Sequence, residues 1–329
     1  MAILVTGGAG YIGSHVVRDL QRQNFEVVVL DNFSTGNRWA IDNCEILEID
    51  LLDIVNLTKL LKKRKFKAVF HFAAKSVVKE SEKYPLRYYH NNISGTLNLI
   101  KVMLNNNNNN LIFSSTAAIY GIPATIPVSE DDHKQPINHY GKSKYLAEQI
   151  LFELQKKYQM NIICYRYFNA SGADKSLEIG ESRSIETHLI PNIFKSITTN
   201  SYLKVFGKNY DTPDGTCIRD YVHVSDISQG HILGLNLFKN KCIFENFNLG
   251  STNGFSVLDI IKETEKITSR KVQYQFFERR KGDPSVLIAN ANKAKQKLKW
   301  KPKFSKLDKI IKSSWDWHLV HDGKQNVTK

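Results

Sequence analysis

Residues 5–13 read Val5-Thr6-Gly7-Gly8-Ala9-Gly10-Tyr11-Ile12-Gly13 and follow the short apolar run Ala2–Val5. The stretch satisfies both G-x-x-G-x-x-G (Gly7, Gly10, Gly13) and G-x-G-x-x-G (Gly8, Gly10, Gly13). Glycines at this spacing allow a tight strand-to-helix turn, let the backbone approach a pyrophosphate, and let the helix lie close to the sheet. The following helix start offers free N–H groups and a partial positive charge to phosphates. An acid closes the next β-rich run: Val27-Val28-Val29-Leu30 ends in Asp31, whose carboxylate accepts ribose hydroxyls and repels a 2′-phosphate. No arginine immediately follows, so the pattern predicts NAD rather than NADP. Asp50, at the end of the third such run, is placed to reach the adenine edge.

Working outward, β-rich runs at Ala2–Thr6, Glu26–Leu30, Glu45–Ile49, Ala68–Phe72, Leu111–Ser115 and Ile162–Tyr167 alternate with helical patterns. The helices are expected over Tyr11–Gln23, Ile54–Lys65, Leu86–Leu104 and Tyr140–Tyr158. This alternation predicts an α/β fold, a doubly wound parallel Rossmann sheet buried on both faces. After about Ser171 the rhythm breaks, and residues 171–329 are expected to form a smaller C-terminal α/β substrate domain beside a dinucleotide domain at 1–170. Residues 225–250, opening with a helical pattern at Ser225–Phe238, are expected to pack back on the first domain. The Asn105–Asn110 run reads as a tolerated surface loop, Lys62–Lys67 as the polar end of a helix, and the lysines of 293–312 as a solvated face.

The chain has 329 residues, 42% hydrophobic and 24% charged, ordinary for a globular protein and unlike a disordered one. Cys44, Cys164, Cys217 and Cys242 lie far apart with no C-x-x-C pair, which argues against a zinc ribbon or disulfide framework and predicts a reducing, cytoplasmic setting without a structural metal. No apolar run approaches the ~20 residues of a membrane span. The net charge of +14 raises nucleic acid as a partner, but the basic residues do not gather on one element, so a polyanionic small molecule is the preferred reading.

The segment Tyr140-Gly-Lys-Ser-Lys144 carries Y-x-x-x-K at the start of a predicted helix. Residues four apart share a helical face, so phenol and ammonium point into one pocket. A nearby ammonium favours the phenolate, and a phenolate can take a proton from a sugar hydroxyl while the carbon gives hydride to NAD. Ser114-Ser115-Thr116, about 25 residues upstream, supplies a hydroxyl to bridge substrate and Tyr140.

With these residues in place, the chain resembles the extended short-chain dehydrogenase/reductases, and within them the UDP-glucose (UDP-galactose) 4-epimerases, nearly end to end. The resemblance rests on Val5–His15, Asp31-Asn32, His71-Phe-Ala-Ala74, Asn91-Asn92, Phe113–Tyr120, Tyr140–Lys144, Arg166-Tyr-Phe-Asn169, Asp214–His223 and Arg279-Arg-Lys-Gly-Asp-Pro284. It implies an isomerase with tightly held NAD in which Tyr140, Lys144 and Thr116 are catalytic. It implies cofactor contacts from Gly7, Gly10, Tyr11, Ile12, Gly13, Asp31, Asn32, Ser34, Asp50, Leu51, Phe72, Ala73, Ala74, Ser76, Asn91, Tyr140, Lys144, Tyr167 and Phe168. Substrate contacts are implied for Thr116, Asn169, His188, Leu189, Phe206, Arg219, Arg280, Asp283 and Leu287. A UDP-sugar substrate, a homodimer, and no nucleic-acid or membrane partner complete the expectation. Thr116 stands where relatives often have serine, Ser76 where some have lysine, His188 where some have asparagine, and Leu287 where the hexose pocket carries a large tyrosine or a small residue. Acceptance of N-acetylated UDP-sugars therefore stays open. A 4,6-dehydratase, a pentose epimerase and a non-catalytic NAD binder are the other readings; Ala117-Ala118 after Thr116 lack the acid/base pair that a dehydratase needs.

Overall fold

The structure is a computed structural model and describes residues 1–239, 242–280 and 282–325. The first half runs β1 (Ile3–Thr6), α1 (Tyr11–Arg22), β2 (Val27–Asp31), β3 (Glu45–Glu48), α2 (Ile54–Leu60), β4 (Ala68–His71), α3 (Val78–Lys83), α4 (Pro85–Tyr89), α5 (Gly95–Asn105), β5 (Asn110–Thr116), α6 (His139–Tyr158) and β6 (Asn161–Tyr167). There follow β7 (Asn169–Ser171), α7 (Leu189–Thr198), β8 (Leu203–Phe206), β9 (Ile218–His223), α8 (Val224–Gly234), β10 (Phe244–Leu249), β11 (Gly254–Ser256) and α9 (Val257–Thr268). The last elements are β12 (Tyr274–Phe277), β13 (Val286–Leu287), α10 (Asn292–Lys297) and α11 (Leu307–Gln325).

Seven strands form one parallel sheet in the order β10-β6-β5-β4-β1-β2-β3. Both faces are covered: Val5, Val29, Phe70 and Tyr165 pack under α1 and α8, and Leu4, Val28, Val69 and Phe113 under α5 and α6. This explains why the strands read as continuous apolar runs. The strand order reverses between β1 and β4, and in such sheets ligands bind in the crevice beyond the carboxyl ends at that switch. Residues 224–249 add α8 and β10 to this sheet, and Ala291, Ala294, Leu298 and Trp300 join the same core. The lysine-rich 293–312 stretch is therefore not merely a solvated face: Trp300 is buried, and Lys293 and Lys297 pair with Glu245. A separate core gathers Ile193, Phe194, Val205, Tyr221, Ile260, Ile311 and Trp315 around β9.

Three sequence expectations need correction. The helix expected over Ile54–Lys65 stops at Leu60, because Lys63 turns left-handed and Lys62–Lys67 forms a turn. That turn is stitched to the asparagine run, which is no passive loop. Asn106 and Asn108 are buried, their amide oxygens accept the N–H groups of Lys63 (2.7 Å) and Phe66 (3.0 Å), and Asn110 donates to the carbonyl of Lys67 (2.8 Å). The single helix expected over Leu86–Leu104 contains a π-helical turn at His90–Ser94 between α4 and α5. The Asn91 and Asn92 side chains on this turn both accept the Lys75 N–H, and π-turns often mark functional sites.

Arg166 and Glu148 form a buried ion pair through two bonds, 3.1 and 2.7 Å, holding α6 to β6. Removing one partner leaves an uncompensated buried charge. We expect Glu148→Ala to destabilise the fold by about 3–5 kcal/mol in urea unfolding. An unchanged midpoint would show that the pair is not structural.

Candidate functional site

The glycine turn is dictated by sterics at its ends and open in its middle. Gly7 has φ +70°, and a Cβ there would lie 2.5 Å from the Ala73 nitrogen; a Cβ on Gly13 would lie 2.2 Å from the Gly7 oxygen. At Gly10 the nearest protein atom to a substituted methyl would be the Gly7 oxygen, at 3.3 Å, so its missing side chain leaves a cradle above the backbone. Gly10 opens α1 with no side-chain cap, and the first turn, with Tyr11, Ile12 and Gly13, holds no acid. The donor set and the cradle fit a dinucleotide diphosphate.

Asp31 is buried at the end of β2, accepting the Ala9 N–H on one oxygen and the Phe33 N–H on the other, both at 2.9 Å. Burial raises its pKa while these N–H groups lower it. Beside it, Asn32 donates to Asp50 (2.7 Å) and accepts from Ser34, and Asp50 accepts the Leu52 N–H (2.8 Å). Leu51 is buried behind this rim. Asp50 thus meets Asn32 directly, which ties the second and third strand ends into one edge.

After β4, Phe72 and Ala73 bond back to the Thr6 carbonyl, placing Phe72, Ala73 and Ala74 beside the glycine turn. The Lys75 N–H donates to Asn91 (3.1 Å) and Asn92 (2.9 Å), and Ser76 is exposed. Asn92 is absent from the site residues expected from sequence, yet it donates to both the Lys75 carbonyl (3.0 Å) and Ser143 (2.9 Å), whose hydroxyl in turn donates to the Tyr140 carbonyl (2.8 Å). His71 continues the chain: with burial holding it neutral at a pKa of about 3, it bonds Thr6 (2.7 Å) and Thr96 (2.9 Å). The Asn91-Asn92 pair is the available signal in the sequence. Its meaning needs the π-turn.

On α6, Tyr140, Lys144 and Glu148 follow at intervals of four and face the sheet. Lys144 is buried, donates to the Ser114 carbonyl at 2.8 Å, and lies 4.6 Å above the Phe113 ring. Tyr140 has its pKa raised by burial, while the Thr116 hydroxyl and Arg183 favour its ionised form. Thr116, at the end of β5, also accepts the Ala118 N–H at 3.1 Å. Phe168 is buried with Ala117, Leu287 packs against them, and the Tyr167 phenol bonds His231. The same phenol also lies within reach of the Ser114 side chain and of Tyr140, so it stands below the pocket floor.

Beyond β6, Asn169 is exposed where β7 meets β9. Four of the expected substrate residues gather together. Arg219 bonds Asp283 at 2.6 Å, and the Arg280 guanidinium lies 4.3 Å above the Phe206 ring. Leu287 pairs in register with Arg219 and packs towards Ala117, so one short strand joins this arginine cluster to the end of β5. Lys281 lies outside the described residues. His188 and Leu189 start α7, where His188 is ion-paired with Glu181 at 2.5 Å. Glu181, Glu186 and His188 bring ligand atoms within 4.8 Å, but Glu181 is already shared by His188 and Arg183. Among the described residues, no helix is long and apolar enough to cross a membrane.

Burial lowers Lys144 to about 7, below the ~10.4 of an unfolded chain. Between these values the unfolded chain binds more protons, so stability rises with pH across the window. The NAD-free chain is expected to gain up to about 1.4 kcal/mol per pH unit from pH 7 to 9 relative to Lys144→Met. Parallel urea midpoints for the two proteins over that range would refute the assignment.

Residues 3–250 match the model of the NAD dependent epimerase/dehydratase family. A UDP-glucose 4-epimerase of Lactobacillus helveticus is 44% identical, with 98% of each chain covered. The structure of a UDP-glucose 4-epimerase from Brucella ovis in complex with NAD superposes with a TM-score of 0.92 at 40% identity, covering 96% of this chain and 97% of that one. That of the UDP-Glc/GlcNAc 4-epimerase from Campylobacter jejuni gives 0.83 at 40% identity, covering 97% and 99%. Family model, relatives and fold agree, and the chain belongs to the NAD dependent epimerase/dehydratase family.

Proposed function

We infer that the chain is an NAD-dependent UDP-hexose 4-epimerase that interconverts UDP-galactose and UDP-glucose by oxidation at C4, rotation of the 4-keto sugar and re-reduction. The observation that carries this is Tyr140 and Lys144 on one face of α6 against Thr116, with the β13 strand linking that point to the arginine cluster. NAD, when bound, takes up hydride from C4 and returns it.

Residues 1–170 hold the dinucleotide through the Gly7–Gly13 turn, Asp31 and the Asn32–Asp50 edge, and residues 171–329 hold the UDP-sugar. Tyr140 takes the C4-hydroxyl proton and gives it back, Thr116 orients that hydroxyl, and Lys144 favours the phenolate. Arg219, Arg280 and Phe206 suit a diphosphate and a uracil ring, and Asp283 suits a ribose. Binding energy concentrated on UDP leaves the hexose free to turn over. Ala117-Ala118, with no side-chain acid, weigh against the dehydratase reading.

Leu287 favours a second substrate class as a question of degree. It lies between a large and a small wall in size, and the Campylobacter jejuni neighbour is a UDP-Glc/GlcNAc epimerase. The four cysteines are free thiols, which supports a cytoplasmic setting, and a C2 homodimer is the assembly expected of such an enzyme.

Proton NMR of purified protein with UDP-galactose and no added NAD should show conversion to UDP-glucose. No conversion would remove the epimerase reading. Tyr140→Phe should keep NAD bound and lose about 10²–10⁴-fold in turnover; wild-type rates would sink Tyr140 as the base. Leu287→Ser should shift the UDP-N-acetylgalactosamine to UDP-galactose rate ratio upward by about tenfold or more, and an unchanged ratio would rule out Leu287 as the gate.

A further inference from the structure

We propose that Arg183 is a cofactor-binding residue whose guanidinium takes the diphosphate bridge of NAD from the side opposite the glycine turn. The proposal rests on the NAD-dependent reading above. The general pattern of glycine turn, acid and Y-x-x-x-K does not include this residue. The segment that carries Arg183 fixes its place.

Residues 172–188 cross the start of α1 and are fastened to it repeatedly. Tyr11 donates to the Gly172 carbonyl at 2.6 Å, Arg22 holds Asp174 through two bonds of 2.6 and 2.8 Å, and Arg18 pairs with Glu178. Further along, Asn37 donates to the Ser182 carbonyl (3.3 Å) while its own N–H bonds the Ala9 carbonyl (2.9 Å). Ser182 is therefore one residue's reach from the middle of the glycine turn. On its other side the segment is clamped by α11: Trp317 donates to the Glu181 carbonyl (3.1 Å), and its indole lies so close to Gly180 that a Cβ there would fall 2.5 Å away. Arg183 leaves the backbone from this fixed point.

The Arg183 Nε donates to Glu181 at 3.1 Å, and the same carboxylate oxygen meets His188. Glu181 thereby aims the guanidinium without consuming its two terminal nitrogens, which have no protein acceptor among the described residues. The Arg183 side chain is 26% exposed. Its charge acts on both Tyr11, at the start of α1, and Tyr140, on the catalytic face, against the burial that raises each, and Glu181 and Glu186 act on Tyr11 in the opposite sense. With Ser182 tied through Asn37 to Ala9 of the glycine turn, the guanidinium of the next residue starts within reach of the diphosphate cradle above Gly10. Two parallel N–H donors are the geometry that pairs with phosphate oxygens, and the first turn of α1 brings no acid to compete.

A diphosphate also joins the two halves of a UDP-sugar, so the experiment separates the sources. Full-length Arg183→Gln and Arg183→Lys are purified beside wild type, bound NAD is measured after acid release, and KM for UDP-galactose is measured at saturating NAD. Arg183→Gln is expected to bind NAD about tenfold or more weakly, to regain turnover when NAD is added, and to keep its KM for UDP-galactose. Arg183→Lys, with the charge but not the fork, should fall between. Wild-type NAD content with a raised KM would assign the fork to the substrate diphosphate and overturn the proposal. So would no change in either quantity, or a loss that no NAD concentration restores. If wild type holds NAD but fails to convert UDP-galactose, the sugar assignment fails while the NAD measurements still decide the role of Arg183.

Discussion

The site depends on how firmly α6 is held against the sheet, and one buried contact sets that register. Glu148 lies one turn beyond Lys144 and two beyond Tyr140, and it is gripped by Arg166 and by the hydroxyl of Ser115. Ser115 precedes Thr116, and Arg166 lies three residues before Asn169. One carboxylate therefore positions Tyr140, Lys144, Thr116 and the exit of the chain towards Asn169. Arg166 extends the lock to Tyr120 (3.0 Å) and the Glu130 carbonyl (2.9 Å), and Tyr120 passes it to Asn248 on β10 (2.6 Å). A buried pair is an expensive way to gain stability. Its value here is geometric, because a catalytic group misplaced by an ångström loses much of its effect.

A second lock joins the sheet to α6 by another route. The Thr6–His71–Thr96–Asn92–Ser143 chain runs beneath the crevice and ties β1 and β4, which carry the dinucleotide turn, to the first turn of α6. The substrate side is built differently, from short strands around β9 and from side-chain pairs such as Arg219–Asp283. That contrast suits a reaction in which the cofactor stays put and the sugar turns.

Most of the sheet is legible in the sequence because parallel strands buried on both faces must be apolar along their length, and because the glycine turn and Asp31 have local steric and electrostatic reasons. Tyr140 and Lys144 are legible for the same kind of reason, a helical spacing. What escapes is polar chemistry acting between distant segments. Asn92 looks like any helix asparagine until the π-turn points it at Lys75, and Arg183 looks like a surface arginine until Asn37 and Trp317 pin its neighbours.

The asparagine run has one more implication, for how this chain is able to change over generations. Asn106 and Asn108 point inward and close the turn at Lys63 and Phe66, while Asn107 and Asn109 face solvent. A tract encoding one repeated residue is prone to gaining or losing a unit during replication, and in a solvent loop such drift would pass unnoticed. Here Asn106 and Asn108 are held at fixed points between α5 and β5, so a change in the number of asparagines would have to be absorbed without breaking their bonds to Lys63 and Phe66. The repeat is uniform in letter but not in role.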